Sequence, residues 1–172
     1  MAGRQVNKCP HCNLLLLPPR GPIKADILAI GDWPDWLDIK KTTIFHTGGW
    51  RKRVGDVLHD EFQNAGINPG SVRYANVWQH AVNKECSSGY HKTELYKEIL
   101  NRRFLLLMGT ETLQLFLPDA KIAEWSGLEI LSPELPKDCR ALACVKPSMA
   151  LGDTLGEVRF AIQEFAELVH GQ

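Results

Sequence analysis

Two residues separate Cys9 from Cys12 in the stretch Cys9-Pro10-His11-Cys12. That spacing sets two thiolates on one tight turn, where they can share a metal. His80 and Cys86, much later in the chain, can supply the remaining two donors of a four-ligand site. Cys139 and Cys144 offer other possibilities: they can join the first pair in a four-cysteine zinc site, or be ordinary buried thiols. Spacing by itself does not choose between zinc and an iron–sulfur cluster.

A second group of residues has the chemistry of a substrate site. Gly31-Asp32-Trp33-Pro34-Asp35-Trp36-Leu37-Asp38 puts three carboxylates and two indoles in eight residues. A carboxylate in such a loop can orient a water, and an aromatic ring can stack on a base. The competing reading is a proline-containing loop of solvated acids and packed tryptophans. Val145-Lys146-Pro147-Ser148 is a further turn. Lys146 and Ser148 can there reach a phosphate or a substrate oxygen. Arg51, Lys52 and Arg53 follow Gly48-Gly49-Trp50 at the start of a helical pattern, a combination that suits nucleic-acid backbone phosphate or, more plainly, a solvated charged face.

These residues must be held by regular elements. Residues 25–31 (ADILAIG), 71–77 (SVRYANV), 104–109 (FLLLMG) and 141–145 (ALACV) are short apolar runs and predict buried strands. Uninterrupted apolar strands belong in a parallel sheet covered on both faces. Val54, Val57, Leu58, Phe62 and Ala65 recur at helical spacing before Gly66. Leu95 and Ile99 mark a second helix. Thr110 is placed to cap a third, running to Leu117. Leu155, Val158, Ile162, Phe165 and Val169 form one apolar stripe of a last helix. The alternation predicts a three-layer α/β/α sandwich around a central, mostly parallel four-stranded sheet. Ligands bind such sheets at the carboxyl ends of the strands, so the loops after Gly31, Asn76, Gly109 and Val145 are where chemistry is expected.

Composition sets the outer limits. The 172 residues suit one domain over 1–172, with the metal-ligand segment at 9–12. Formal net charge is zero, so any attraction to nucleic acid must come from a local basic face. No apolar run nears the roughly 20 residues of a membrane helix. The N-terminus lacks a signal-peptide pattern, and the expected setting is a reducing cytoplasm, where five cysteines are ligands or buried thiols rather than disulfides.

In order along the chain, these pieces resemble the iron–sulfur-containing uracil-DNA glycosylases, from about Cys9 to Leu151. The Cys-x2-Cys opening matches Cys9 and Cys12. The loop from Gly31 to Asp35 resembles the family's G-E-x-P-G type loop. Ile44-Phe45-His46-Thr47-Gly48-Gly49 is similar to its Phe-containing stretch before a Gly-rich helix start. Tyr74-Ala75-Asn76-Val77 resembles its strand ending in Asn, residues 105–109 its apolar strand ending in Gly, and Lys146-Pro147-Ser148 its H-P-S loop.

The resemblance implies a uracil-DNA glycosylase-like fold. It implies a 4Fe-4S cluster on Cys9, Cys12, His80 and Cys86, with zinc as the alternative. It implies a catalytic pair, Asp32 positioning the attacking water and Lys146 standing for the family's His. Phe45 would stack on the flipped base and Asn76 would hydrogen-bond the uracil edge, with Trp33 and Ser148 completing the pocket. DNA, in single-stranded form or otherwise, is the implied partner, beside a protein partner in replication or repair; alone, the chain is expected to be a monomer. Two departures accompany the resemblance. The interval from His80 to Cys86 is short for the family, and Lys146 cannot copy imidazole geometry. The expected activity is therefore weakened uracil excision. The alternatives are an inactive nucleic-acid-binding or replication-accessory module, and a zinc-stabilised protein-interaction domain.

Overall fold

The structure, a computed structural model, describes residues 7–47, 53–81, 86, 88–147 and 154–171. Four strands form its centre: β1 (Ile27–Gly31), β2 (Val72–Asn76), β3 (Phe104–Met108) and β5 (Arg140–Cys144). Every residue of the first three is buried, as their unbroken apolar runs require. These four run parallel. A fifth strand, β4 (Glu129–Ile130), pairs antiparallel with β5, so the sheet is mixed, with order β2-β1-β3-β5-β4. Two residues carry no periodicity, which is why β4 was not expected. Pairing and the bidentate Arg140–Glu129 ion pair, at 2.7 and 2.8 Å, hold it in place.

The helices are α1 (Trp36–Lys41), α2 (Val54–Asn64), α3 (Ser88–Ile99), α4 (Thr110–Leu113), α5 (Ile122–Trp125) and α6 (Leu155–His170). Alternate strand residues feed two separate cores. On one face Ile27, Ala29, Leu106 and Met108 meet Val57, Leu58 and Phe62 of α2 and Val158, Ile162 and Phe165 of α6. On the other, Leu28, Ile30, Leu105 and Leu107 meet Leu95 and Ile99 of α3 with Leu113 and Phe116. Helices thus cover both faces, as a parallel sheet demands. Among the described residues no helix is long and apolar enough to cross a membrane.

The expected helix from Thr110 to Leu117 is shorter than its pattern. It ends at Leu113, and the next turn is closed by Leu115 N–H to Thr112 O and Phe116 N–H to Leu113 O, three-residue spans. Thr110 is also not the cap. Gly109 is, at φ +119°, a conformation that side chains rarely adopt.

Register decides what the sheet presents. Gly31 lies opposite Asn76 on one side and Met108 on the other, and Met108 lies opposite Cys144. The carboxyl ends of all four parallel strands are therefore level. β1 has β2 on one flank and β3 on the other, which makes the end of β1 a topological switch point.

Candidate functional site

The Cys9–Cys12 turn is locally built. Asn13 N–H donates to Cys9 O at 2.9 Å and Cys9 N–H to Leu14 O at 2.8 Å, while Asn13 takes a left-handed φ of 61°. Lys8 and Leu15 bridge across the hairpin, and Leu17 N–H donates to Gln79 O at 2.6 Å, next to His80. The hairpin is thereby tied to the segment that follows β2. Ligand atoms of Cys9, Cys12, His80 and Cys86 all lie within 4.8 Å of one another. Cys9 Sγ is 3.5 Å from Cys86 Sγ, and His80 Nε2 is 3.4 Å from Cys12 Sγ and 3.3 Å from Cys86 Sγ. These four can hold a metal ion. His80 Nδ1 donates to Ala81 O at 2.5 Å, which puts the ring proton on Nδ1 and leaves the Nε2 lone pair aimed at the thiols.

Burial pushes the Cys86 thiol up to about 12, and the Cys9 and Cys12 thiols beside it act the same way. Burial also raises Cys9, but the backbone N–H groups of His11 and Cys12 together with the Cys86 and Cys12 thiols outweigh it and bring that thiol down to about 7. Bound cations reverse such penalties by deprotonating coordinating thiols outright.

His91 was not foreseen. It is fully buried on α3, with Nε2 3.5 Å from Cys86 Sγ and 3.8 Å from Cys9 Sγ. Burial, with His80 and His11 nearby, lowers it to about 4, so it is neutral and can donate one N–H to the thiolates. A histidine five residues beyond a candidate ligand is the only trace of this in the sequence. The alternative four-cysteine site is not formed. Cys139 and Cys144 belong to the cores on opposite sheet faces, and Cys144 Sγ–H points to Val145 O at 3.2 Å. Burial raises both thiols, to about 11 and about 12.

Beside this centre, at the level carboxyl ends of the strands, is a cavity of about 340 Å³. Asp32, Trp33, Phe45, Asn76 and Lys146 all line it, together with Ala81, the neighbour of His80. Residues from four separate stretches of chain thus share one space. Ser148, Arg51 and Lys52 lie outside the described residues. Arg53 precedes α2, and its N–H is taken by Asp56 Oδ2 at 3.0 Å in a capping box.

Asp32 is 5% exposed and raised to about 6, mainly by burial; Lys146 opposes the rise, as does the Thr112 N–H, which donates to Oδ1 at 3.2 Å. Lys146 Nζ sits 4.0 Å from Asp32 Oδ2 and 4.2 Å from the Trp33 ring centroid, a cation–π contact. A Cβ on Gly109 would lie 2.5 Å from Asp32 Oδ2, so glycine is needed there for space as well as for backbone angle. Asn76 is 3% exposed, and neither its Oδ1 nor its Nδ2 has a hydrogen-bond partner among the described residues. Buried amides are rarely left so.

Asp35 and Asp38 bind each other's backbone, with Asp38 N–H donating to Asp35 Oδ1 at 2.8 Å. Asp38 accepts the N–H groups of His46 at 3.0 Å and Asp35 at 3.3 Å, and burial raises its carboxyl. It ties the loop carrying Phe45, whose own φ of 48° is unusual for a bulky residue. Arg20 Nη1–H donates to Phe45 O at 2.8 Å. A methyl on Gly31 would fall 2.6 Å from Asn76 Oδ1 and 2.9 Å from Phe45 Cζ, so that glycine lets the two close over the end of β1.

What the arrangement offers is a planar ring as one wall, an amide with both a donor and an acceptor free, a buried carboxylate and one ammonium. No protein-family model matches the chain. No curated protein matches its sequence.

Proposed function

We propose that the chain is a divergent member of the iron–sulfur uracil-DNA glycosylase superfamily, with its three-layer α/β/α fold, that takes an extruded base from DNA into the cavity and hydrolyses its N-glycosidic bond. The observation that carries this reading is the unpartnered, buried Asn76 amide facing a cavity that also holds Phe45, Asp32 and Lys146. A pyrimidine imide edge presents one carbonyl acceptor beside one N–H donor, which is the complement of a free carboxamide. The base must leave its stack to reach these groups. Phe45 then offers a ring for it to lie against.

In this reading Asn76 holds the base edge, and the Lys146 ammonium stabilises negative charge growing on the departing base. Asp32, ionised above about pH 6, orients the water that attacks the sugar carbon. Trp33 keeps the Lys146 stem from wandering by lying under its ammonium.

For the metal, three donor separations of 3.3 to 3.5 Å, with all four donors within 4.8 Å of one another, support one tetrahedral ion rather than a cluster. Ligands about 2.3 Å from a single zinc stand roughly 3.8 Å apart, and Cys₃His is an ordinary structural zinc set. A 4Fe-4S cube gives each ligand its own iron and would spread the donors more widely. When bound, zinc supplies a structural clamp and no redox chemistry. A colourless protein with one equivalent of zinc supports this assignment; a brown one with broad visible absorption replaces it with the cluster.

Incubation of the protein with uracil-containing single-stranded DNA tests the excision. Abasic product that falls by about 10²–10³ in Asn76→Ala supports it, and no product at stoichiometric protein removes it. A second reading, a DNA-binding module without cleavage, is favoured by Lys146, which stands where the resembled family has histidine. It predicts salt-dependent DNA binding with no abasic product.

A further inference from the structure

We propose that the cavity carries a second activity, on the sugar of an abasic site: Lys146 forms an imine with the C1′ aldehyde and the strand is then cut by β-elimination. The inference rests on the reading of the cavity as a nucleic-acid site, but not on uracil excision.

Lys146 is the one amine among the described residues lining the cavity. Its side chain is 29% exposed, so it is withdrawn from bulk water yet reachable. A carboxylate stands 4.0 Å away, a distance closed by a small side-chain rotation or one water. That carboxylate is fixed, held on the Thr112 N–H and backed against Gly109. The Trp33 face below Nζ accepts a cation and equally a flat protonated imine. A primary amine beside a positioned base, in a partly open, apolar-walled cavity, is the arrangement lysine needs to act on carbonyl groups.

The chemistry balances without an oxidant or reductant. Asp32 takes a proton from the Lys146 ammonium, and the free amine adds to C1′ of the open-chain deoxyribose. The carbinolamine loses its C1′ hydroxyl as water, using the proton held by Asp32, and a protonated imine remains. Its electron demand loosens the C2′–H bond. Asp32 removes that proton, and the C2′–H pair forms a C1′–C2′ double bond as the imine π pair moves to nitrogen. The nitrogen pair then returns, the new π pair shifts to C2′–C3′, and the C3′–O bond breaks with its pair going to the phosphate. Water hydrolyses the imine, returning the amine and releasing an unsaturated aldehyde terminus and a 5′-phosphorylated fragment.

The test uses the full chain and a single-stranded oligonucleotide bearing one preformed abasic site, with and without borohydride. Without reductant, a nicked strand is expected. With it, a stable protein–DNA adduct is expected, and peptide mapping should put the added mass on Lys146. Lys146→Arg keeps the positive charge but cannot form the imine, and should lose the adduct to the level of a no-protein control. Absence of adduct in the unaltered protein overturns the proposal, as does an adduct mapped to exposed lysines such as Lys40 and Lys41. Should the variant fail to fold, the map of the unaltered protein decides alone. Excision is scored separately on a uracil oligonucleotide, so that trapping without excision removes the glycosylase reading and keeps this one, while excision without trapping does the reverse.

Discussion

The clamp and the cavity are neighbours joined through His80 and Ala81, yet their polar groups are in opposite conditions. In the clamp, Cys9, Cys12, His80 and Cys86 face one another at contact distance, and His91 adds a further N–H. Its donors converge on one point and stay together. In the cavity, Asn76 is buried with no partner and Asp32 is held as a carboxylate in a place that disfavours charge. The first region can hold a metal ion, and the second leaves a buried amide without a partner among the described residues. Sites that bind and turn over ligands characteristically sacrifice stability in this way, whereas structural sites add to it.

That contrast can be broken most decisively at the clamp. Removing a ligand by Cys86→Ala, or the metal with a chelator, should lower Tm by roughly 10–20 °C, as expected when bound-metal free energy is folding free energy. Scanning calorimetry with and without chelator reads it. An unchanged Tm would mean the four donors hold nothing that matters to folding.

The cavity should respond with the opposite sign. Asp32 is raised from 3.8 to about 6, chiefly by burial, so the folded state binds its proton more tightly than the unfolded one. Its contribution to stability is therefore greatest below pH 3.8 and is lost as pH rises through about 6. Asp32→Asn should accordingly raise stability by up to about 3 kcal/mol at pH 8, an advantage that shrinks to nothing near pH 4. Urea titrations at the two pH values check this, and a loss of stability at pH 8 would contradict it. The same change should abolish excision.

The smallest effect sharpens the comparison. Asn76→Ala removes an unsatisfied buried amide, whose desolvation costs about 1–3 kcal/mol, and leaves a small void that offsets part of the gain. Tm should stay level or rise by a few degrees, while excision falls by about 10²–10³ as one preorganised contact is lost. A marked drop in Tm would show that Asn76 is structural.

Much of this molecule was legible in its residues. Ile27–Gly31 and Phe104–Met108 read as strands because burial on both faces leaves no polar positions to confuse the pattern. The stripe of α6 was readable because one face of a helix repeats every three or four residues. The ligands were readable only in part: the two-residue spacing of Cys9 and Cys12 marked one pair, while Cys139 and Cys144 competed with His80 and Cys86 for the rest. The short elements were not. β4, α1 and α5 span at most six residues, too few for a period, and exist because the larger elements leave them a place. α4 ends at Leu113, followed by a turn with three-residue hydrogen-bond spans.

The sequence by itself determined the parallel α/β order, the residue types able to bind metal, and the loops in which polar chemistry had to fall, because hydrophobic periodicity and side-chain chemistry are local properties. Only the tertiary structure decided that Gly31, Asn76 and Met108 end level, that Asp32 and Lys146 come within 4.0 Å although 114 residues apart in number, and that His91 joins the clamp. Strand register and helix docking set those distances, and both depend on the packing of the whole core rather than on any one segment.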